Sequence, residues 1–405
     1  MKSYKNLIIF LVLVVLWSAV LGIFKYFIWA AMSNGLHMSL ETIAGYISLG
    51  GIFAYLFGGA LAYTFQVRSL LVSSAILAVI MSIVGMMTDF QSAVIMPVVV
   101  IVFGYCYGLW SAMRNMLISV EIEQTGLSDT FVTGLVTIAF TVAIIGWSIA
   151  GGKVYETFWV LWIYLLMSIL IIAGFLSVFL AYESYDWKKF FAKWMCSVMV
   201  EKKTLLIKSF REFLPQIRIL MTKYLTLMMV PAIILTISTI LSQKSVAVSV
   251  DVFHKAPSEG SMMLLYAAVG AILGNVITLK ATANRWTYFA IGIGIYSLLA
   301  LAYPFLIDSY TIIIAMTFIA WVLFGVTINL TEGYLFYRFA KDNHKEYGSA
   351  VYGIILSAII VILMFIADTL QKEVGFKSVF VFLSAVLGIS GIVMMRDAKR
   401  NWLKQ

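Results

Sequence analysis

Very few side chains in this sequence are placed to do chemistry, and they interrupt long apolar runs. Lys25 stands in "LGIFKYFIWAAMSNG" (21–35), Arg114 in "GLWSAMRNMLISVEIEQ" (108–124) and Glu332 in "GVTINLTEGYLFYRF" (325–339). An ionised group at mid-bilayer costs ~2.5–3.5 kcal/mol on insertion scales, so each is a candidate for function. Lys25 follows Leu7 by 18 residues. At ~1.5 Å of rise per residue that is ~27 Å from the inner end of its span. From there the lysine either snorkels to the head groups or lines a cavity as a substrate contact. Residues 22, 25, 26 and 29 share one helical face; Tyr26 and Trp29 would supply polar tips and aromatic walls, and Gly22 leaves room beneath the lysine.

Arg114 and Glu332 fall near the same-side ends of the fourth and tenth apolar runs. Their opposite signs at quasi-equivalent places suggest a pair across two halves that gates the inner side. The local alternatives are Arg114 with Glu121 and Glu332 with Arg338. Glu332 is also the carboxylate best placed for proton coupling, since Glu41 and Asp368 sit at outer span ends. Asn275 and Asn329, with Thr141, Tyr334 and Tyr352, either hydrogen-bond a substrate or satisfy one another between helices; the two asparagines are the expected substrate contacts. His37, His254 and His344 form no metal-binding spacing, and no phosphate-binding glycine loop is present. No metal, no cofactor and no enzymatic activity are therefore expected.

The elements that position these residues follow from composition. The chain of 405 residues is 62% hydrophobic and 12% charged, with a mean hydropathy of +1.00, whereas soluble domains carry about 25% charged residues. Its apolar runs are ~20 residues or longer, enough to cross ~30 Å of hydrocarbon, and they are continuous, which excludes alternating β-barrel strands. The first run, Leu7–Met32, is about twice the length of a signal-peptide core. Spans are expected near 7–32, 42–66, 69–88, 92–117, 130–151, 157–181, 219–241, 260–280, 286–306, 310–337, 348–370 and 376–396.

The net charge of +9 is a matter of topology and does not point to a nucleic-acid partner. With the N-terminus inside, 21 of the 28 Lys and Arg fall on the inner side, Lys153, Lys244, Lys255, Lys372 and Lys377 fall outside, and Lys25 and Arg114 lie within spans. That bias places both termini in the cytoplasm, in an inner or plasma membrane. The chain divides into an N-terminal bundle (1–181), a connector (182–218) and a C-terminal bundle (219–405). The connector interleaves Trp187, Phe190, Phe191 and Trp194 with Lys188, Lys189 and Lys193, which suits a helix lying on the inner leaflet.

The halves echo one another. The fourth and tenth runs both pass from a glycine through a polar helix end to a charged loop, and reopen with Thr, Ser and Gly. Glycines concentrate on the second run (Gly45, Gly50, Gly51, Gly58, Gly59) and the eighth (Gly270, Gly274), as close packing between membrane helices requires.

Six plus six spans, internal repetition and a basic connector resemble the major facilitator superfamily over the whole chain. Between the second and third spans "GGALAYTFQVRSLL" (58–71) matches that family's loop signature at Gly59, Leu61, Ala62 and Arg68, with Tyr63 in place of the aspartate. The conformational lock assigned to that aspartate is therefore not carried over. "EYGSAVYGIILSAIIVILMFIADTLQ" and its mate after the fourth span resemble members near the organophosphate:phosphate antiporters, and "MRNMLISVEIEQTGLSDTFVTG" is similar to lysophospholipid transporters. The resemblance implies an all-α polytopic membrane protein of twelve transmembrane helices in two pseudo-symmetric six-helix bundles. It implies a secondary or facilitative transporter that moves a small anionic or zwitterionic metabolite across the bilayer by alternating access as a monomer, with Lys25 holding an anionic group. A lipid flippase of the same superfamily and a non-transporting sensor are the alternatives.

Overall fold

A computed structural model describes residues 5–35, 45–56, 67–87, 92, 94–179, 200–251, 253–254, 257–279, 285–306 and 309–401, with backbone alone at 22, 24–35, 67–68, 144–163, 200–210, 212, 214, 242–251, 257–262, 264, 345–346 and 399–401. The helices are α1 (Lys5–Gly35), α2 (Gly45–Leu56), α3 (Val67–Met87), α4 (Ile95–Thr125), α5 (Asp129–Ser177) and α6 (Val200–Asp251). They continue with α7 (Pro257–Thr278), α8 (Arg285–Ala302), a 3₁₀ turn (Tyr303–Phe305), α9 (Tyr310–Lys341), α10 (Lys345–Glu373) and α11 (Phe376–Asn401). No strand occurs among the described residues.

Among the described residues seven helical stretches are long and apolar enough to cross a membrane, and five shorter apolar ones accompany them, so each expected span has a helical counterpart. The chain is a multi-pass membrane protein. α5 carries the fifth and sixth spans in one continuous helical run of 49 residues, ~73 Å of rise against ~30 Å of hydrocarbon. α6 joins the second part of the connector to the seventh span without a break. The first part, with Trp187 and Lys188, lies outside the described residues, as does most of the loop signature at 58–66.

Burial follows the solvent each face meets. On α3, Leu71, Ala75, Ala78 and Ser82 are buried while Ile76, Ile80, Ile83 and Met87 are exposed. These are two stripes at helical spacing, one against protein and one presenting apolar side chains as a lipid-facing surface does. Buried hydroxyls close on their own helices: Ser18 donates to the Val14 carbonyl and Thr236 to that of Ala232, which hides the polar group where no water reaches.

Glycines set the closest helix contacts, and they do so twice. A methyl built on Gly50 of α2 would overlap the Ile101 carbonyl on α4, and one on Gly104 would overlap that of Ile47. Six spans later, Gly274 of α7 meets the Val322 carbonyl on α9, and Gly325 meets that of Ala271. Spans two and four thus pack as spans eight and ten do, the relation expected of pseudo-symmetric bundles. The bundles meet along α2 with α10 and along α5 with α7 and α9.

Tight turns hold the helix ends on the side that carries the connector. Gly126 adopts φ 64° and closes α4 by donating to the Ile122 carbonyl, a left-handed position that suits glycine. Two residues on, the Ser128 hydroxyl accepts from the Phe131 amide and caps α5. Asn343, φ 57°, makes the corresponding turn between α9 and α10.

Candidate functional site

The bundles close on the connector side around the first turn of α5. Arg285, at the start of α8, donates through Nη2 to both carboxylate oxygens of Asp129, at 2.8 and 2.6 Å. The guanidinium stacks over the Tyr334 ring of α9, 5.0 Å from its centroid. Beside it, the Thr130 hydroxyl donates to the Leu279 carbonyl at 3.1 Å. One turn deeper, Gly134 leaves the space that Leu279 and the Asn329 amide occupy. Apart from the Arg285–Tyr334 stacking, which lies within the C-terminal bundle, these contacts join the N-terminal bundle to the C-terminal one.

A second charged centre lies within the bundles. Arg114 of α4 is half-buried, and its Nε and Nη2 donate to Oδ1 of the Asn115 side chain at 3.2 and 3.0 Å. Its guanidinium is backed by the Trp110 and Phe140 rings, 5.5 and 5.4 Å from their centroids. Trp110 in turn stacks on Trp17 of α1 at 5.8 Å, and the buried indole N–H of Trp17 has no partner among the described residues. Across the bundle boundary, Glu332 of α9 accepts a short hydrogen bond from the Tyr352 hydroxyl of α10. Tyr55 of α2 completes the group, its ring filling the space beside Gly353 of α10. The helix that carries Arg114, α4, packs against α9 and α10, which carry Glu332 and Tyr352.

The expected direct pair between Arg114 and Glu332 is not made here: among the described residues no ion pair within 4.0 Å joins them. Neither local alternative replaces it, since Arg338 pairs with Asp342 and Arg114 with Asn115. Both residues also lie deeper than the apolar boundaries indicate. α4 runs to Thr125 and α9 to Lys341, which leaves about three turns beyond Arg114 and two and a half beyond Glu332. The polar ends stay helical past the last apolar residue.

Asn275 is fully buried in the α7–α9 contact, where its amide donates to the Ala271 carbonyl at 2.8 Å. Asn329, also fully buried, donates to the Thr278 hydroxyl at 2.9 Å. The carbonyl oxygen of each asparagine has no partner among the described residues. The two stand on neighbouring helices, and Asn329 is the one that reaches α5. The side chains of Lys25, Tyr26 and Trp29, on the outer half of α1, lie outside the described residues.

Asp129, Arg285 and Tyr55 were not singled out by sequence reasoning. A signal for Arg285 was present: it follows "GNVITLKATAN" between spans eight and nine as Arg68 follows "GGALAYTFQV" between spans two and three. Asp129 carries no such mark, because an aspartate beside a helix cap reads as ordinary capping.

No family model matches the sequence, and no curated protein matches it significantly. Solved structures match it in fold. A human organic anion transporter superposes with a TM-score of 0.70 at 8% identity, over 95% of this chain and 99% of that one. A proton:xylose symporter of the major facilitator superfamily gives 0.65 at 14% identity, over 99% and 96%. The Escherichia coli fucose:proton symporter gives 0.71 at 11% identity, over 98% and 99%. The chain has the fold of the major facilitator superfamily transporters along its whole length.

Proposed function

We propose that the protein is a secondary or facilitative transporter that moves a small anionic or zwitterionic metabolite across the membrane by alternating access, as its two bundles rock about a site between them. The observation that carries this reading is Arg114. Its guanidinium sits inside the bundle, braced by Asn115, Trp110 and Phe140, with no carboxylate within ion-pair distance among the described residues. A cation withdrawn from water without a counter-charge is costly, and the anionic group of a substrate would offset that cost. Asp129 and Arg285 are the proposed gate on the connector side, made when that side is shut and broken when it opens. The excess of Lys and Arg assigns that side to the cytoplasm of an inner or plasma membrane, with both termini inside. Lys25, Tyr26, Trp29, Asn275 and Asn329 are further proposed substrate contacts.

Counterflow into proteoliposomes, with a panel of carboxylated, phosphorylated, zwitterionic and neutral solutes, tests the reading. Charged solutes bearing an anionic group should exchange, and Arg114→Gln should lower that exchange at least tenfold. Exchange confined to neutral solutes and indifferent to Arg114→Gln would overturn it.

A further inference from the structure

We infer that the site between the bundles selects a primary-amine zwitterion of the amino-acid class, with its carboxylate on Arg114 and its ammonium on Glu332. This rests on the reading that Arg114 receives the substrate's anionic group, and it adds a second, opposite end to that site. Arg114 spends Nε and Nη2 on Asn115, while Nη1 has no partner among the described residues. Glu332 takes the Tyr352 hydroxyl on Oε1, while Oε2 has no partner among the described residues. Both residues are only half-buried, so neither side chain is sealed in the helix packing. The two stand on α4 and α9, helices from different bundles that pack against each other, with no ion pair within 4.0 Å between them.

Charge selects among ligands in this arrangement. A simple anion satisfies Arg114 and leaves its charge facing a carboxylate. A simple cation does the reverse. A molecule with both groups satisfies both ends, and neither buried charge is left without a partner. Glu332 Oε2 accepts hydrogen bonds, so an N–H-bearing ammonium is favoured over a quaternary one. The Trp110 and Phe140 rings hold the guanidinium in place. Closing the bundles over such a ligand would draw the two ends together and couple binding to the rocking motion.

Thermal-shift and calorimetric titrations of the purified full chain test this with the twenty proteinogenic amino acids, and with the N-acetyl, amide and N-trimethyl forms of every one that binds. The expected result is at least one amino-acid binder, with each single-charge form at least tenfold weaker and the trimethyl form weaker than the parent. Glu332→Gln should narrow the gap between the amino acid and its N-acetyl form by tenfold or more, and Arg114→Gln should weaken both. The wild-type ligand series stands whether or not the variants fold. N-acetyl forms that bind as well as their parents, or mono-anions that bind when no amino acid does, overturn the zwitterion and leave the anion-transport reading intact. Binding confined to neutral solutes overturns both.

Discussion

Arg285 and Asp129, 156 residues apart in sequence, place one guanidinium nitrogen 2.8 and 2.6 Å from the two oxygens of one carboxylate. Their side chains are 10% and 8% exposed, so the pair is largely withdrawn from water. Asp129 also stands in the first turn of α5, where the helix dipole favours a negative charge. Removing one member of such a pair leaves the other uncompensated, a loss of ~3–5 kcal/mol in general. Because the members come from different bundles, much of that loss falls on the closed arrangement alone. Asp129→Asn or Arg285→Gln should therefore raise the labelling rate of a cysteine at buried Thr133, read with a membrane-impermeant maleimide, at least tenfold. The exchange Asp129→Arg with Arg285→Asp should bring it back to within a few-fold of the starting value. Labelling that stays unchanged in both single variants would remove the pair from gating.

Tyr352 positions Glu332 and is itself fully buried, its ring packed edge-on against Phe336. Tyr352→Phe keeps that packing and deletes only the donor. A hydrogen bond to a charged group contributes ~1.5–3 kcal/mol, so ligand affinity should fall about ten- to hundredfold while Tm moves by about a degree or two. A variant that loses Tm and keeps its affinity would show a packing role alone.

Span number and order were legible because each apolar run is long enough to cross a bilayer and polar breaks separate the runs. The glycine contacts were legible in part: Gly50, Gly51, Gly270 and Gly274 are each set against a neighbouring helix, whereas Gly45 meets nothing within 4 Å and Gly58 and Gly59 lie outside the described residues. Arg114 and Glu332 stood out because a charge in an apolar run is conspicuous. Their true depth did not, since hydropathy marks where apolar residues stop and a helix continues past that point. The Asp129–Arg285 pair was hidden for another reason. Each residue reads as a loop charge at a span end, and nothing local announces a partner 156 residues away.

Gly353 shows how tightly the bundles meet away from the gate. A methyl there would overlap the Tyr55 ring, and one on Gly51, a turn further along the same contact, would press against the Ser357 hydroxyl at 3.3 Å. Gly353→Ala forces α2 and α10 apart at the level of the Arg114–Glu332 centre. Overpacking of this kind costs ~1–3 kcal/mol, so Tm should fall by several degrees and counterflow by more than half. Adding Tyr55→Leu removes the opposing ring and should recover part of the lost Tm, a coupling expected of residues in direct contact. Strictly additive losses in the double variant would place the two effects in separate contacts.

On the connector side Asp342 ends α9 and gathers Lys223 Nζ at 2.9 Å, the Tyr224 hydroxyl and Arg338 Nη2 at 3.3 Å. Burial alone would raise its carboxyl, but hydrogen bonds from Tyr224 and Lys223 and the charge of Arg338 hold it below the usual aspartate range. A carboxyl that is lower in the folded chain contributes stability that is full above the unfolded value, about pH 4, and is lost as pH falls through the folded value beneath it. His344, two residues on, is pushed below the usual imidazole range by burial and by the charge of Lys223, against the pull of Asp342. The unfolded chain takes up that proton first, so the histidine contribution is full above about pH 6.5 and is lost as pH falls from there to the folded value. Tm in detergent between pH 8 and 3 should thus decline in two stages. His344→Gln should flatten the upper stage and leave the lower; Asp342→Asn should lower Tm at neutral pH and flatten the decline below pH 4. An upper stage that persists unchanged in His344→Gln would assign it to another group, and a lower stage that persists in Asp342→Asn would free Asp342 from the acid response.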